Sequence, residues 1–343
     1  MYQKLDFLAS SATLSPMNTS DFDYFLPPER IAQAPIEPRD SSRLLVLGRQ
    51  NGEIEHRHFY EIDQFLRPGD LLVVNESKVF KARLQALNPQ VEVFLLHAEE
   101  GNWVALAKPG RKLTVGSLVT FEDGRTCDVV EKRADGTVVL DFHSPAEEIL
   151  KWTDTSGTVP IPPYVEQPVS QERYQTVYAK TVGSVAAPTA GFHFTPELIE
   201  KLKSQDIRFA SITLHVGLGT FRPMKTDTLE KHEMHHEWLD VPEETMRAIE
   251  ETKKNGGRVI AVGTTTVRAL ESGIRHGFTN IFITPGYQFK TIDGLITNFH
   301  LPKSTLMVLV SAFAGRENIL RAYDVAIKEK YRFYSFGDAM LII

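Results

Sequence analysis

PEETMRAIEETKKNGGRVIAVGTTTVRALESGIRHG, residues 242–277, decides the fold class. Pro242 opens a helix through EETMRAIEETKKN that Gly256-Gly257 stops, RVIAVG follows as a strand, and TTTVRALESGIRHG reads as a turn and a further helix. Helix, strand and helix in succession predict an α/β unit with a βαβ crossover. The same grammar extends outward. Thr195-Pro196-Glu197 is a helix start, with Thr as the cap and Pro at the first helical position, and FASITLHV at 209–216 alternates as a strand. Downstream, a strand is expected at Ile281–Thr284 and helices over Lys303–Ala314 and Glu317–Arg332; upstream, Leu44–Leu47 and Leu71–Val74 offer strands for the same sheet.

From Gln85 to about Ser144 the grammar changes. Short apolar runs (VEVFLL, WVALA, LVTF, VVLDF) alternate with the turn signals EEGN, KPGRK, EDGR and ADGT, the pattern of antiparallel hairpins closing into a small barrel or sandwich. The architecture expected is a mixed α/β chain: a discontinuous α/β domain, residues 17–84 and 170–343, with an antiparallel β-barrel inserted at 85–169.

Composition bounds the function. Of 343 residues 42% are hydrophobic and 24% charged, which supports a buried core and excludes wholesale disorder. A net charge of −6 argues against coating nucleic acid non-specifically, though a local basic patch remains compatible. Cys127 stands alone and cannot form an internal disulfide, so a reducing, cytoplasmic setting is expected. No apolar run has the length of a membrane span, and residues 1–16 lack the pattern of a secretory signal; they read as an extension ahead of Met17.

Four features carry chemistry. In FASITLHV, His215 leaves the strand on the face opposite Ile212, Leu214 and Val216, and Gly217 and Gly219 follow it, so that backbone can approach a ligand at a strand end. A hydrogen-bonded histidine at a sheet edge reads equally well, and Arg222 in place of a third glycine breaks any dinucleotide fingerprint. HEMHHE at 232–237 contains H-E-x-x-H, with His232 and His236 as candidate zinc ligands and Glu233 as base, the pattern of a zinc hydrolase; the helix it needs would span barely two turns. Thr264, Thr265 and Thr266 gather N–H groups and hydroxyls at a helix start and either bind an anion or cap the helix, while Arg268 either adds a bidentate contact or pairs with Glu271. On the last helix Arg321, Lys328 and Arg332 oppose the apolar stripe Ile319, Tyr323, Ala326 and Ile327, a basic face that is either solvated or phosphate-binding.

Several blocks read together resemble one family, the S-adenosylmethionine:tRNA ribosyltransferase-isomerases of queuosine biosynthesis. They are LPPERIAQAPIEPRDSSRLL (26–45), NESKVFKARL (75–84), ERYQTVYA (172–179), GSVAAPTAGFHF (183–194), HVGLGTFRP (215–223), AVGTTTVRALES (261–272), TNFHLPKSTLMVLVSAFAG (297–315) and YRFYSFGDAML (331–341). In that pattern His232, Met234, His235 and Glu237 match while Glu233 and His236 fill variable positions, which weighs against zinc. Departures are Glu76-Ser77 where Asp-Thr is common, Phe192 where Leu is common, and Ile161; none removes a reactive group.

The resemblance implies an α/β domain with an inserted barrel and an enzyme that moves the ribosyl part of S-adenosylmethionine onto 7-aminomethyl-7-deazaguanine at the wobble position of tRNA, releasing adenine and methionine. S-adenosylmethionine is then a consumed co-substrate; no tightly bound cofactor and no metal are expected, and the chain is a monomer or a weak homo-oligomer. Proton transfer points to His193, His215, His232, His235 and His300, His215 and His193 first, with Glu237 as the carboxylate. Thr264–Thr266, Arg268 and Asn298 suit the donor's amino-acid end, while Gly217 and Gly219 are substrate-binding candidates through close backbone approach. For the tRNA the candidates are Lys303, Arg316, Arg321, Lys328 and Arg332 on phosphates, and Tyr331, Tyr334 and Phe336 for stacking or as core. An RNA-binding protein without catalysis would bind tRNA and leave the donor intact.

Overall fold

The computed structural model describes residues 17–162, 164–166, 170, 172–217 and 223–343, so the leader 1–16 lies outside it. Its centre is a nine-stranded sheet in the order His276–Thr279, Glu237–Asp240, Arg208–Leu214, Leu71–Asn75, Val259–Val262, Gly294–Asn298, Ala339–Ile342, Arg43–Leu47, Ile54–His58. The run from Arg208–Leu214 to Gly294–Asn298 is parallel, and Ala339–Ile342 joins antiparallel to Gly294–Asn298.

The central strands Leu71–Asn75, Val259–Val262 and Gly294–Asn298 are buried along their whole length and mostly apolar because both faces of the sheet are covered there. Leu71, Val73, Val259, Ala261 and Leu295 pack under the helices Glu243–Lys254, Thr264–Glu271, Thr305–Ala314 and Arg316–Lys328. The alternate residues Leu72, Val74, Ile260, Val262 and Ile296 face Phe59, Ile62 and the helix Pro196–Ser204. That helix starts as its sequence requires, with Thr195 Oγ1 accepting the Leu198 N–H at 3.1 Å.

A closed six-stranded antiparallel barrel is inserted between the paired strands Leu71–Asn75 and Arg208–Leu214. Its strands are Arg83–Asn88, Gln90–Glu99, Asn102–Lys108, Leu118–Phe121, Thr126–Lys132 and Val138–Asp141, and the ladder begins at Arg83, just ahead of Gln85. Cys127 is fully buried in its core, where burial pushes the thiol up to about 12. No helix among the described residues is long and apolar enough to cross a membrane.

Four local expectations need correction. The helix at Thr264 ends at Glu271, and the edge strand is His276–Thr279 paired with Glu237–Asp240, not Ile281–Thr284. Gly273, at φ +73°, turns the chain there, and Pro285 follows the expected segment. The helix expected from Lys303 begins at Thr305, because Lys303 is left-handed at φ +55° and Ser304 Oγ caps Met307 N–H at 3.1 Å. The last helix stops at Lys328, since Lys330 takes φ +62° and Tyr331 N–H returns to Ala326 O.

Candidate active site

Four parallel strands end on one side of the sheet, and the residues at and just beyond those ends build the site: Asn75 and Ser77, His215 to Gly217, Gly263 to Thr265, and Asn298 to His300. Asn75, fully buried, ties three of these ends together. Its Nδ2 donates to Leu214 O at 2.9 Å and to Thr265 Oγ1 at 3.3 Å, while its Oδ1 accepts Leu214 N–H and Ser77 N–H.

A cleft opens over these ends. Thr264, Thr265, Thr297, Asn298, His300, Ser304, Tyr334 and Ser335 give it polar groups, and none of its described lining residues is Asp, Glu, Lys or Arg. Thr266 does not line it; its hydroxyl donates to Val262 O at 2.8 Å within the helix.

His215 is held on three sides. Its Nδ1 lies 2.8 Å from Ser77 Oγ, its ring stacks on Trp238 with centroids 5.0 Å apart, and Gly183 backs its edge so closely that a Cβ there would stand 2.4 Å from Nε2. In its neutral form the ring has one nitrogen with a lone pair, and the Ser77 hydroxyl, which can donate or accept, meets Nδ1 in either tautomer. Burial holds this imidazole down to about 4, so it is neutral at physiological pH. The hydroxyl at 77 survives the departure from Thr to Ser.

The other histidines divide into two kinds. His193 is buried with both ring nitrogens engaged: Nε2 accepts from Asn298 Nδ2 at 3.1 Å and Nδ1 meets Ser42 Oγ at 2.7 Å. Burial first, then the positive charges of Arg332 and Arg39, lower it to about 3. His193 therefore orients Asn298, whose Oδ1 also accepts from Thr189 Oγ1 and whose Nδ2 also reaches Tyr334 O. His300 is lowered by burial to about 3; its Nε2 meets Thr297 Oγ1 at 2.8 Å, and its backbone is bound by the Tyr24 and Tyr323 hydroxyls. All three imidazoles are thus held neutral, because each sits where a charge is poorly solvated. His232 and His235 lie instead in a second groove with Met234, Glu237 and Arg268.

Glu237 and Arg268 form a buried ion pair there, made between Glu237 Oε2 and Arg268 Nη1, while Glu237 Oε1 accepts the Gly217 N–H at 3.0 Å. The alternative partner Glu271 is occupied by the N–H groups of Lys290, Thr291 and Ile292 and by the Tyr287 hydroxyl. Gly219 lies outside the described residues.

The H-E-x-x-H reading fails on geometry. A short turn ends at Lys231, His232 is already extended at φ −83° and ψ 123°, and no helix places His232 and His236 on one face. Among the described residues no cluster of His, Cys, Asp or Glu is arranged to hold a metal ion. The zinc-hydrolase alternative is set aside.

Each basic candidate for the tRNA has a protein partner: Lys303 with Asp23, Arg316 with Asp21, Lys328 with Asp324, Arg321 with Gly52 O, and Arg332 with the buried Asp338. Because the helix ends at Lys328, Arg332 leaves its outward face. Tyr331 and Phe336 are core, whereas Tyr334 lines the cleft beside Tyr164. Asn75, Ser335 and Tyr164 escaped the sequence reading, and Ser77 entered it only as a departure from Thr. The available signal was a polar residue ending the apolar run LLVVN inside a matched block.

Comparison with known proteins agrees with this architecture. A family model described as "Queuosine biosynthesis protein" matches residues 19–342. The S-adenosylmethionine:tRNA ribosyltransferase-isomerase of Thermotoga maritima is 51% identical over 338 residues, covering 95% of this chain and all of the relative; that of Thermosipho melanesiensis is 52% identical over 337 residues with the same coverage. A solved structure, the S-adenosylmethionine tRNA ribosyltransferase of Thermotoga maritima, superposes with a TM-score of 0.57 at 42% identity, over 94% of this chain and all of that one. This chain therefore belongs to the S-adenosylmethionine:tRNA ribosyltransferase-isomerases, a family of queuosine-biosynthesis enzymes.

Proposed function

We propose that this enzyme transfers and isomerises the ribosyl moiety of S-adenosylmethionine onto 7-aminomethyl-7-deazaguanine at the wobble position of tRNA, giving epoxyqueuosine-tRNA, adenine and methionine. The observation that carries the reading is a cleft at the parallel strand ends whose described lining bears no formally charged side chain and includes Val216, next in the chain to the neutral His215, whose ring is tied to Ser77 outside that lining.

The chemistry starts from the donor. A sulfonium withdraws electrons from C5′ and acidifies its proton, so a positioned base can remove it; adenine then departs from C1′ once protonated, the neutral aminomethyl nitrogen bonds to the ribosyl carbon and gives up a proton, and the C5′–S bond breaks with its electron pair on sulfur, which turns the sulfonium into neutral methionine. The neutral imidazole of His215 has the lone pair for the first step. The burial that makes it a weak base makes its imidazolium a strong acid, which suits proton delivery to a leaving purine. Asn298, fixed by His193 and Thr189, and the hydroxyls of Thr264, Thr265 and Thr297 supply neutral hydrogen bonds that suit a nucleoside. The tRNA presents one anticodon-loop base, with Tyr334 and Tyr164 at the cleft for stacking and Lys303, Arg316, Arg321 and Lys328 exchanging protein partners for phosphates.

The test is incubation with labelled S-adenosylmethionine and precursor-bearing tRNA. Adenine and methionine are expected only when the tRNA is present. Methyl transfer, or release without tRNA, would refute the reaction.

A further inference from the structure

The main cleft leaves half of the donor unaccounted for. The amino-acid end of S-adenosylmethionine carries a carboxylate and an ammonium, and none of the cleft's described lining residues is Asp, Glu, Lys or Arg to meet either. Charges stand next door. The second groove, about 310 Å³, contains the Arg268–Glu237 pair, and Leu306 lines both spaces. The two are bridged by the helix Thr264–Glu271, since Thr264 faces the cleft and Arg268, one turn along on the same side, faces the groove.

Arg268 is not fully used by the protein. Its Nη1 binds Glu237 and its Nε donates to Ile281 O at 3.3 Å, but among the described residues Nη2 has no hydrogen-bond partner although the side chain is only 6% exposed. A buried guanidinium nitrogen left unsatisfied costs free energy, and such an orphan in a groove wall marks a place for an acceptor. The acceptor most compatible with a buried pair of zero net charge is one end of a zwitterion, which adds no net charge to the site. We propose that Arg268 binds the donor's α-carboxylate through Nη2, with the Glu237 carboxylate as counter-charge for the α-ammonium, so that the second groove is the amino-acid subsite and the Thr264–Thr265 cleft holds the nucleoside. This separates Arg268 from Thr264, Thr265 and Asn298, all of which the sequence assigned to the amino-acid end. The proposal rests on S-adenosylmethionine being the donor in the reaction proposed for this enzyme.

Calorimetry without tRNA tests it apart from turnover, using S-adenosylmethionine and its decarboxylated form, which keeps the sulfonium and amine and lacks only the carboxylate. The wild-type enzyme is expected to bind the decarboxylated form roughly 10²-fold more weakly, the range for losing a charge-assisted contact to a buried guanidinium. In Arg268→Gln the ratio of the two affinities should collapse toward one, with Arg268→Lys retaining an intermediate ratio. Equal wild-type affinity for both ligands overturns the proposal, as does undiminished discrimination in Arg268→Gln. If Arg268→Gln does not fold, the wild-type ratio and Arg268→Lys decide. Failure of adenine release with tRNA in an enzyme that still discriminates the two ligands would sink the reaction and leave the subsite standing.

Discussion

Replacing Gly183 with Ala tests whether the His215 imidazole must stand where it does. The added methyl would lie 2.4 Å from Nε2, 2.6 Å from Cε1 and 2.9 Å from Cδ2. An ordinary contact needs about 3.5 Å, so the ring must retreat by about 1 Å. Retreat is not free, because Ser77 Oγ holds Nδ1 at 2.8 Å and Trp238 covers the ring face. A misplacement of about 1 Å costs on the order of 10²-fold in rate, or roughly 2.7 kcal/mol of transition-state stabilisation. The assay is kcat/KM for tRNA-dependent adenine release, with circular dichroism confirming the fold, since Gly183 also sits at φ +154° and the methyl adds backbone strain. The decisive control is the same substitution in a His215→Ala background, where the space is restored. There Gly183→Ala should add almost nothing. An equal loss in both backgrounds, or full activity in the single variant, would refute the assignment of His215 as the positioned base.

Three further outcomes are expected. The depressed imidazoles of His193, His215 and His300 stay neutral in the folded enzyme down to about 3 to 4, while the unfolded chain takes up protons near 6.5. Their contribution to stability is therefore complete above that upper value and declines as pH falls through the window; denaturant titration at about pH 7.5 and about pH 5.5 should show a loss of order 1.4 kcal/mol per imidazole, and His300→Gln should flatten the dependence by about one such increment. Asp338→Asn should cost about 3 kcal/mol of folding free energy by denaturant titration, because the carboxylate is 2% exposed and binds both the backbone and the guanidinium of Arg332 as well as the Arg43 N–H. Lys328→Ala and Arg316→Ala should each lower the salt slope of log Kd for tRNA by about 0.7, and unchanged slopes would remove those residues from the phosphate-binding surface.

How much of this was legible in the sequence depends on the range of the interaction. Caps, stops and hairpin turns are local, so the helix starts at Pro196 and Glu243, the barrel's turn signals and the continuous apolar strands could be read directly. The edge strand was misplaced from His276–Thr279 to Ile281–Thr284 because edge pairing depends on what stands opposite, here Glu237–Asp240. The chemistry divides in the same way. Matched blocks picked out His193, His215 and His300 for proton transfer, Glu237 as the carboxylate and Arg268 for the donor's amino-acid end, yet did not divide the proton transfers among the histidines.

Which histidine is spent on orienting an amide and which keeps a lone pair was decided by contacts between residues far apart in the chain, such as Ser42 with His193 and Ser77 with His215. Arg268 was left between an anion and Glu271, and only the packing of the edge strand against its helix gave it Glu237. Residue type and local geometry are written in the chain itself, and they settled the α/β grammar, the barrel and the family. Burial and partnership, which set protonation and leave one guanidinium nitrogen unspent, exist only after the strands have met.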